Sequence, residues 1–395
     1  MYRKFTADFI FTGSEILPAD NVVIATEDGT IIETITKAEA GDDIETYNGI
    51  LTPGFVNSHC HIELSHMQGA VPTKTGLVEF VQQVMKNRNA DAEAKTIAMH
   101  AAEQELYNSG TVAVGDICNT TDSIELKQNS KLCWHNFIEV SGFVDGAAEK
   151  RFADAKNILK EFNSTLNTQH STLSPHAPYS VSKTLFQLLN DATANQLITI
   201  HNQECAAEDD LYKSKQGDFL NLYKNFGIDI SGFVPTGKSS LQSWVPYFTK
   251  NQKIILVHNT FITQDDIDFI NTQHSTLNTQ HYSCLCPNAN KYIEQQMPPV
   301  ELLRNNNCSI VIGTDSYASN WQLNMLEEIK TIQAETSFSS PLAEVLQWAT
   351  INGARALQLD KELGSFDKGK KPGIVLIDAI GDLNVTKESS ARRIL

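Results

Sequence analysis

The residues of this chain best able to do chemistry lie far apart in the sequence and share a position in their local pattern. His59 and His61 stand one residue apart in LTPGFVNSHCHIELSH; His201 and His258 close the apolar runs LITIH and KIILVH; Asp315 closes SIVIGTD; and His176 sits in SPHAPYS. On a strand successive side chains alternate between faces, so Phe55, Asn57, His59 and His61 share one side while Val56, Ser58 and Cys60 take the other. Two imidazoles on one face can share a metal ion. His-x-His is a weak motif on its own, and a structural pair of histidines fits it as well. What favours a metal is that histidines and an aspartate recur at the ends of later strands. Three histidines and one carboxylate suit a divalent transition metal and leave a position for water.

The elements that must position these groups alternate strand and helix. Pro53 and Gly54 in TPG start the first strand. Later strands are TVAVGDI, ending at Asp116, LCWHNFIEV, a fourth ending near Ser174, LITIHNQE, KIILVH, YSCLCP and SIVIGTD. VEFVQQVMKNR, residues 92–108, EKRFADAKNILKEF and residues 182–195 read as helices. Eight strands with intervening helices predict an α/β fold, a parallel (β/α)8 TIM barrel over residues 53–360. An open doubly wound sheet is the rival, disfavoured because no Gly-rich phosphate loop follows the first strand. In a barrel the chemistry sits at the C-terminal ends of the strands, where every candidate falls. Residues 1–52 read as strands without helices, with a hairpin at Asp28-Gly29, and GSFDKGKKPGIVLID is again strand-like. Segments 1–52 and 361–395 are therefore expected to form one small β-sandwich domain.

Composition narrows the function. The chain has 395 residues, 41% hydrophobic and 20% charged, as in a soluble enzyme. A formal net charge of −16 opposes binding to a nucleic acid polymer. No apolar run reaches the roughly 18 residues of a membrane span, and the N-terminus lacks a signal-peptide pattern, so a cytoplasmic location is expected. Seven scattered cysteines read as reduced thiols, and Cys284 and Cys286 as packing residues rather than ligands.

The motifs TPGFVNSHCH, SPHAPYSVS, HNQE, LVHNTF, CPNAN, GTDSYASN and ATINGARALQLDKELGSFDKGKKPGIVLID together resemble the amidohydrolase superfamily. The branch they resemble is that of nucleobase and aromatic-amine deaminases, cytosine deaminase-like hydrolases that include adenosine-analogue, guanine and triazine aminohydrolases. The resemblance implies one divalent metal ion per chain, zinc first and iron second, bound by His59, His61, His201 and Asp315. No carboxylated lysine is suggested on strand four, which argues against a binuclear site. A divalent ion lowers the pKa of a bound water to about 7, supplying hydroxide at neutral pH. Asp315 would take the water proton. Glu204, three residues past His201, is similar to the family's proton shuttle to a ring nitrogen. His258 resembles the residue that orients the hydroxide, and His176 a substrate contact. Ser316 and Trp321 follow Asp315 and are expected at the substrate. Glu63 lies just beyond the metal pair, and HIELS resembles the aminodeoxyfutalosine deaminases, which implies a purine-like amine with a ribose and an aromatic acid.

Rival readings stand beside these. His258 could be a core imidazole. Glu204 could be a solvated loop acid, as Glu208, Asp209 and Asp210 are read to be. Asp116 and Glu139 end strands without matching a ligand motif, so pocket lining and buried hydrogen bonding are both open. His66 reads as a polar loop histidine that could join the pocket. Tyr212, Phe219 and Trp244 in the long segment after Cys205 could stack on a flat base or pack their own helices; Trp321 shares that ambiguity. STLNTQH occurs at 164–170 and 275–281 and reads as a polar surface insertion with solvated His170, His274 and His281. The expected function is a deaminase, a hydrolase of C–N bonds other than peptide bonds, acting on a small heterocyclic amine and releasing ammonia, with a homodimer implied by the resemblance. A cyclic-amide or chlorinated-ring hydrolase on the same scaffold is the first alternative, and a catalytically silent binding barrel the second.

Overall fold

A computed structural model describes residues 1–166, 170–277 and 279–395, with backbone alone for 274–277. The Val- and Ile-rich runs form strands buried on both faces, the pattern of parallel sheets. In order they are Phe55–Cys60, Thr111–Cys118, Cys133–Val140, His170–Pro175, Leu197–Asn202, Lys253–His258, Gln280–Leu285 and Ile310–Ile312, strands one to eight below. Strands one to four pair in parallel in one sheet and strands five to eight in a second.

Hydrogen bonds cross both seams between the sheets. His201 N donates to His176 O at 2.9 Å, and Thr314 N and Asp315 N both donate to His59 O at 3.1 Å. Gly313 permits the second approach, because a Cβ there would meet His59 N and O at 2.9 Å. The fold is mixed α/β of TIM-barrel type. Strand eight stops at Ile312, short of Asp315, because residues 313–315 turn towards strand one and Asp315 takes a φ of 58°. Strand seven ends at Leu285, since Pro287 opens the helix Pro287–Ile293.

The helix Ala92–Asn108 matches its expected bounds and is capped by Asp91, whose carboxylate accepts from Glu93 N and Ala94 N. Ahead of it, Leu77–Asn87 carries apolar residues at 77, 80, 81 and 84, one face of a helix laid over the ends of the strands. Helices Ala206–Ser214, Phe219–Asn225 and Ser240–Trp244 fill the long segment after strand five. Its aromatic residues pack that segment: Phe219 stacks on Tyr179, Tyr212 Oη donates to Pro178 O, and Trp244 Nε1 donates to Asn202 Oδ1. Cys284 and Cys286 are fully buried free thiols.

The termini form two further sheets. One orders Ile31–Thr36, Asn21–Thr26, Tyr2–Thr6 and Glu45–Thr46; the other orders Ala391–Arg393, Ile374–Ile377, Ile50–Pro53, Phe9–Phe11 and Ile16–Pro18. Phe5, Val23 and Ile31 of the first share an apolar cluster with Ile10, Leu51 and Leu376 of the second. Contrary to the helix-free expectation, Lys37–Ala40 makes one helical turn, because the Glu39 carboxylate accepts from Thr36 N and Oγ1.

Both copies of STLNTQH lie where a helix leads into a strand, strand four for the first and strand seven for the second. The first copy starts in the last turn of Ala148–Thr165 and its His170 opens strand four; in the second, residues 275–277 end the helix Gln264–Leu277 and Gln280 and His281 open strand seven. His170 is exposed, but His281 is half-buried on strand seven and not solvated as expected. The His274 side chain and residues 167–169 and 278 lie outside the described residues. Among the described residues no helix is long and apolar enough to cross a membrane.

Candidate active site

Strand one carries His59 on its last turn of pleat and delivers His61 one residue beyond Cys60, while strands five and eight bring His201 and Asp315 to meet them. One ligand atom from each of the four lies within 4.8 Å of the others. His61 Nε2 is 3.2 Å from His201 Nε2 and 3.4 Å from Asp315 Oδ1; His59 Nε2 is 3.5 Å from the same oxygen. The group is held from behind. His201 Nδ1 donates to His176 O at 2.8 Å, which leaves Nε2 as the lone-pair atom facing the cluster. Ser319 Oγ donates to Asp315 Oδ2 at 2.6 Å, leaving Oδ1 for the imidazoles.

Burial sets the charges. It lowers His61 to about 4, and burial together with the neighbouring imidazoles holds His201 well below the usual range, so both rings are neutral at pH 7. Burial alone would raise Asp315, but His59, His61 and His258 around it hold the carboxyl below the carboxylate range. Neutral imidazoles and an ionised carboxylate are the donor states a divalent metal requires. His59 adds a direct indication: both ring nitrogens are buried without a hydrogen-bond partner among the described residues, which a metal ion would answer at one of them.

His258 and Glu204 border the group. His258 ends strand six with a φ of 74°, an uncommon backbone for a non-glycine residue that turns its ring inward. Its Nδ1 donates to Asn290 Oδ1 at 2.8 Å, and the Asn290 amide is oriented by its own donation to Thr260 Oγ1 at 2.6 Å. His258 Nε2 therefore presents its lone pair to Glu204 Oε1, 3.5 Å away. Glu204 is buried, not a solvated loop acid, and its carboxyl is pushed well above the usual range by burial and then by Asp315. Glu208 is also buried, against expectation: it accepts from Gln203 N and Glu204 N and from Ser240 Oγ, fixing the turn that carries Glu204. Asp210 is exposed as expected.

His61, His201, Asp315 and Glu204 line a cavity of about 400 Å³. His176, Ser316, Glu139 and Tyr179 line it as well, together with the apolar Leu77, Phe80, Val81 and Val84 and the cations Arg88 and Arg151. Two expected substrate contacts lie elsewhere. Glu63 is buried but accepts from Asn119 N and Thr120 N, so it holds the loop after strand two. Trp321 is 52% exposed and lies against Tyr292, outside the cavity lining. His66 Nε2 meets Arg88 O at 3.0 Å and so serves the loop. Asp116 is taken by the buried Lys127 ammonium at 2.5 Å and by Ile62 N at 2.8 Å. Asn290, Asn119 and Arg88 are contributors the sequence reading did not single out, and the second Asn of CPNAN was the one available sign.

Several known proteins resemble this chain over most of its length. A 5'-deoxyadenosine deaminase of Methanococcoides burtonii is 24% identical over 395 residues, covering 94% of this chain and 84% of its own. The crystal structure of Helicobacter pylori aminofutalosine deaminase with methylthio-coformycin superposes with a TM-score of 0.81 at 21% identity, covering 100% of both chains. An adenosine deaminase from Xanthomonas campestris with bound zinc gives a TM-score of 0.71 at 21% identity, covering 95% of this chain and 84% of its own. The sequence model of the amidohydrolase family matches residues 50–392, and with the metal-type cluster inside that span the chain belongs to the amidohydrolase family.

Proposed function

We propose that this protein is a metal-dependent aminohydrolase that replaces the exocyclic amine of a purine nucleoside with oxygen and releases ammonia. The observation that carries the reading is the buried His59, His61, His201 and Asp315 group with Glu204, an acid whose carboxyl burial pushes well above the usual range, and a tautomer-fixed His258 beside it. The four residues would hold one divalent ion, zinc in the first instance and iron in the second. When bound, such an ion lowers the pKa of a coordinated water to about 7 and orients it. Asp315 is placed to take that water's proton, its other oxygen being held by Ser319. Glu204 delivers a proton to the ring nitrogen as the oxygen adds to the neighbouring carbon, so a C–O bond forms while the ring C=N π bond opens; the proton taken by Asp315 then passes to the exocyclic nitrogen, the C–N bond breaks, and the oxygen becomes a carbonyl as its remaining proton returns to Glu204. His258 Nε2 aligns the attacking oxygen, and the leaving nitrogen departs as ammonia.

The 5'-deoxyadenosine deaminase and aminofutalosine deaminase among the similar proteins support an adenine-type amine. The lining of the cavity favours 6-aminodeoxyfutalosine within that class. Its apolar residues suit an extended substituent, and Arg88 and Arg151 offer cations to an acid in a chain of net charge −16. His176 and Ser316 are read as substrate contacts. The same reading treats the two parallel sheets as one closed (β/α)8 barrel over residues 53–360. It treats the terminal sheets, from residues 1–52 and 361–395, as a small β-sandwich domain.

The test pairs elemental analysis of the purified protein with ammonia release from aminopurine nucleosides, aminodeoxyfutalosine included. About one zinc or iron per chain with ammonia from an adenine nucleoside is the expected result. One metal with no ammonia from any aminopurine, pterin or triazine would overturn deamination, and no metal after reconstitution would remove the ligand assignment.

A further inference from the structure

His61 lies one residue past the end of strand one, where the ladder to strand two has already lost its regular register. Between the pairs Asn57–Val114 and Cys60–Asp116 strand one advances three residues against two, so the sheet itself does not fix the direction in which the chain leaves Cys60. Side chains take over that task. The Asp116 carboxylate, near the end of strand two, accepts at 2.8 Å from Ile62 N, the amide directly after His61. In return Glu63 accepts from Asn119 N at 3.0 Å and from Thr120 N, the first residues after strand two. Each of the two strand ends thus holds the backbone of the other.

Asp116 is aimed by Lys127, on the short helix Ile124–Asn129. The ammonium is 2.5 Å from Asp116 Oδ2 and 3.2 Å from Cys118 Sγ, and it lies 5.1 Å and 5.3 Å from the ring centres of Trp134 and Phe162. With Oδ2 occupied, Oδ1 is left for Ile62 N. Both side chains of the pair are 0% exposed and neither lines the cavity, so their effect on the site passes through the backbone of Ile62. A buried ion pair is a poor device for stability, since apolar residues of similar volume often stabilise as well or better. Apolar residues here would leave the buried Ile62 N without its acceptor, and the chain that carries His61 without a fixed direction.

We propose that Asp116 and Lys127 are positioning residues that hold His61 in its ligating place before a metal ion arrives, and so set the affinity of the metal group. The inference rests on the ligand assignment in the proposed function and extends it to residues outside the four. No contact with the ion is assigned to either residue.

The experiment uses the full chain, freed of metal by a chelator. It reads the zinc dissociation constant by competition with a chromogenic chelator, together with the melting temperature of the metal-free form. Two double variants are compared. Asp116→Asn with Lys127→Met removes both charges and keeps an acceptor for Ile62 N, whereas Asp116→Leu with Lys127→Met removes the acceptor too. The first is expected to bind zinc within about threefold of wild type and the second about 10- to 100-fold more weakly, the usual effect of losing a partner behind a metal ligand, at similar melting temperatures. Equal affinities in the two variants would overturn the inference and leave the pair a packing feature. If the Leu variant does not fold, hydrogen exchange on wild type decides. The Ile62 amide is expected to be as protected without metal as with it, and protection that rises more than about tenfold on metal binding would show that the ion, and not Asp116, sets the loop. Wild type that binds no metal at all is a separate result, which removes the ligand assignment and this inference with it.

Discussion

Replacing Glu204 with Gln is the sharpest test of how this site moves protons. The Glu204 carboxyl is 5% exposed, and burial followed by the like charge of Asp315 keeps it protonated well above the ordinary carboxylate range. It therefore enters the reaction as a donor, 3.5 Å from the acceptor nitrogen of His258. Glutamine matches its shape and still accepts or donates a hydrogen bond, but it cannot transfer a proton. General acid–base catalysis contributes about 10²- to 10⁴-fold, so kcat should fall by that factor, equivalent to roughly 3 to 5 kcal/mol of barrier. Because Glu204 is not one of the four clustered ligand residues, metal content should stay at the wild-type value and KM within a few-fold. Ammonia release measured in a coupled assay, with elemental analysis on the same sample, reads both quantities. A kcat within tenfold of wild type, or a loss of metal in step with the loss of rate, would refute the reasoning.

Other consequences follow from the same geometry. Asn290→Ala strips the acceptor from His258 Nδ1 and should lower kcat by about 10- to 100-fold, whereas Asn290→Asp keeps an acceptor and should retain most of it; equal rates in the two variants would count against tautomer control. Gly313→Ala places a methyl 2.9 Å from His59 N and O at the seam beside Asp315, so metal content and thermal stability should both drop, by about 1–3 kcal/mol for the latter. Full metal loading at an unchanged melting temperature would show that the seam yields. Trp321→Ala, half exposed and outside the cavity lining, should leave kcat/KM within about threefold, and a larger loss would return that ring to the substrate. Glu208, and Glu328, a buried acid that accepts from Asn288 N and Asn320 Nδ2, are pushed up to about 8 by burial, while an unfolded chain releases the same proton near 4.3. Between those values the folded protein binds more protons, so stability falls as pH rises. From pH 6.5, above the range where the lowered His61 contributes, to pH 8 the fall is at most about 1.4 kcal/mol per pH unit for each group. Urea midpoints that stay level or rise over that window would contradict it.

What could be read in advance was whatever depends on local period and residue type. The eight apolar runs were legible because a strand buried on both faces needs a continuous stretch of Val, Ile and Ala, and His59, His201, His258 and Asp315 stood out because each interrupts such a stretch at its C-terminal end. Glu208 was misread because its neighbours Asp209 and Asp210 are acidic, and only the fold shows three donors converging on it. Glu63 was placed at the substrate by its distance from His61 in sequence. The chain in fact turns through Ile62–Met67, and the carboxylate meets the backbone of the next loop. Trp321 was expected at the substrate because it follows Asp315 in GTDSYASNW, with stacking and packing both open, and its exposure is a tertiary property that the sequence does not carry.

The part that stayed hidden is the backbone strain around the site. Gln203, His258, Asn259 and Asp315 all have positive φ, at 45°, 74°, 56° and 58°. None is glycine, and nothing in a sequence of ordinary residues announces such conformations. Each is held by a hydrogen bond: Gln203 N by Glu208, His258 Nδ1 by Asn290 Oδ1, Asn259 by donating to Leu256 O and accepting from Asn202, and Asp315 N by His59 O. A strand that ended in its relaxed geometry would alternate its next side chain to the opposite face. The left-handed turn at Asp315 and His258 instead lets side chains of strands eight and six converge with those of one and five. The strain, on the order of 1–3 kcal/mol per residue, is therefore the cost of bringing four strand ends to a single point. It explains why polar asparagines and a buried glutamate, rather than apolar residues, crowd the positions just behind the cluster.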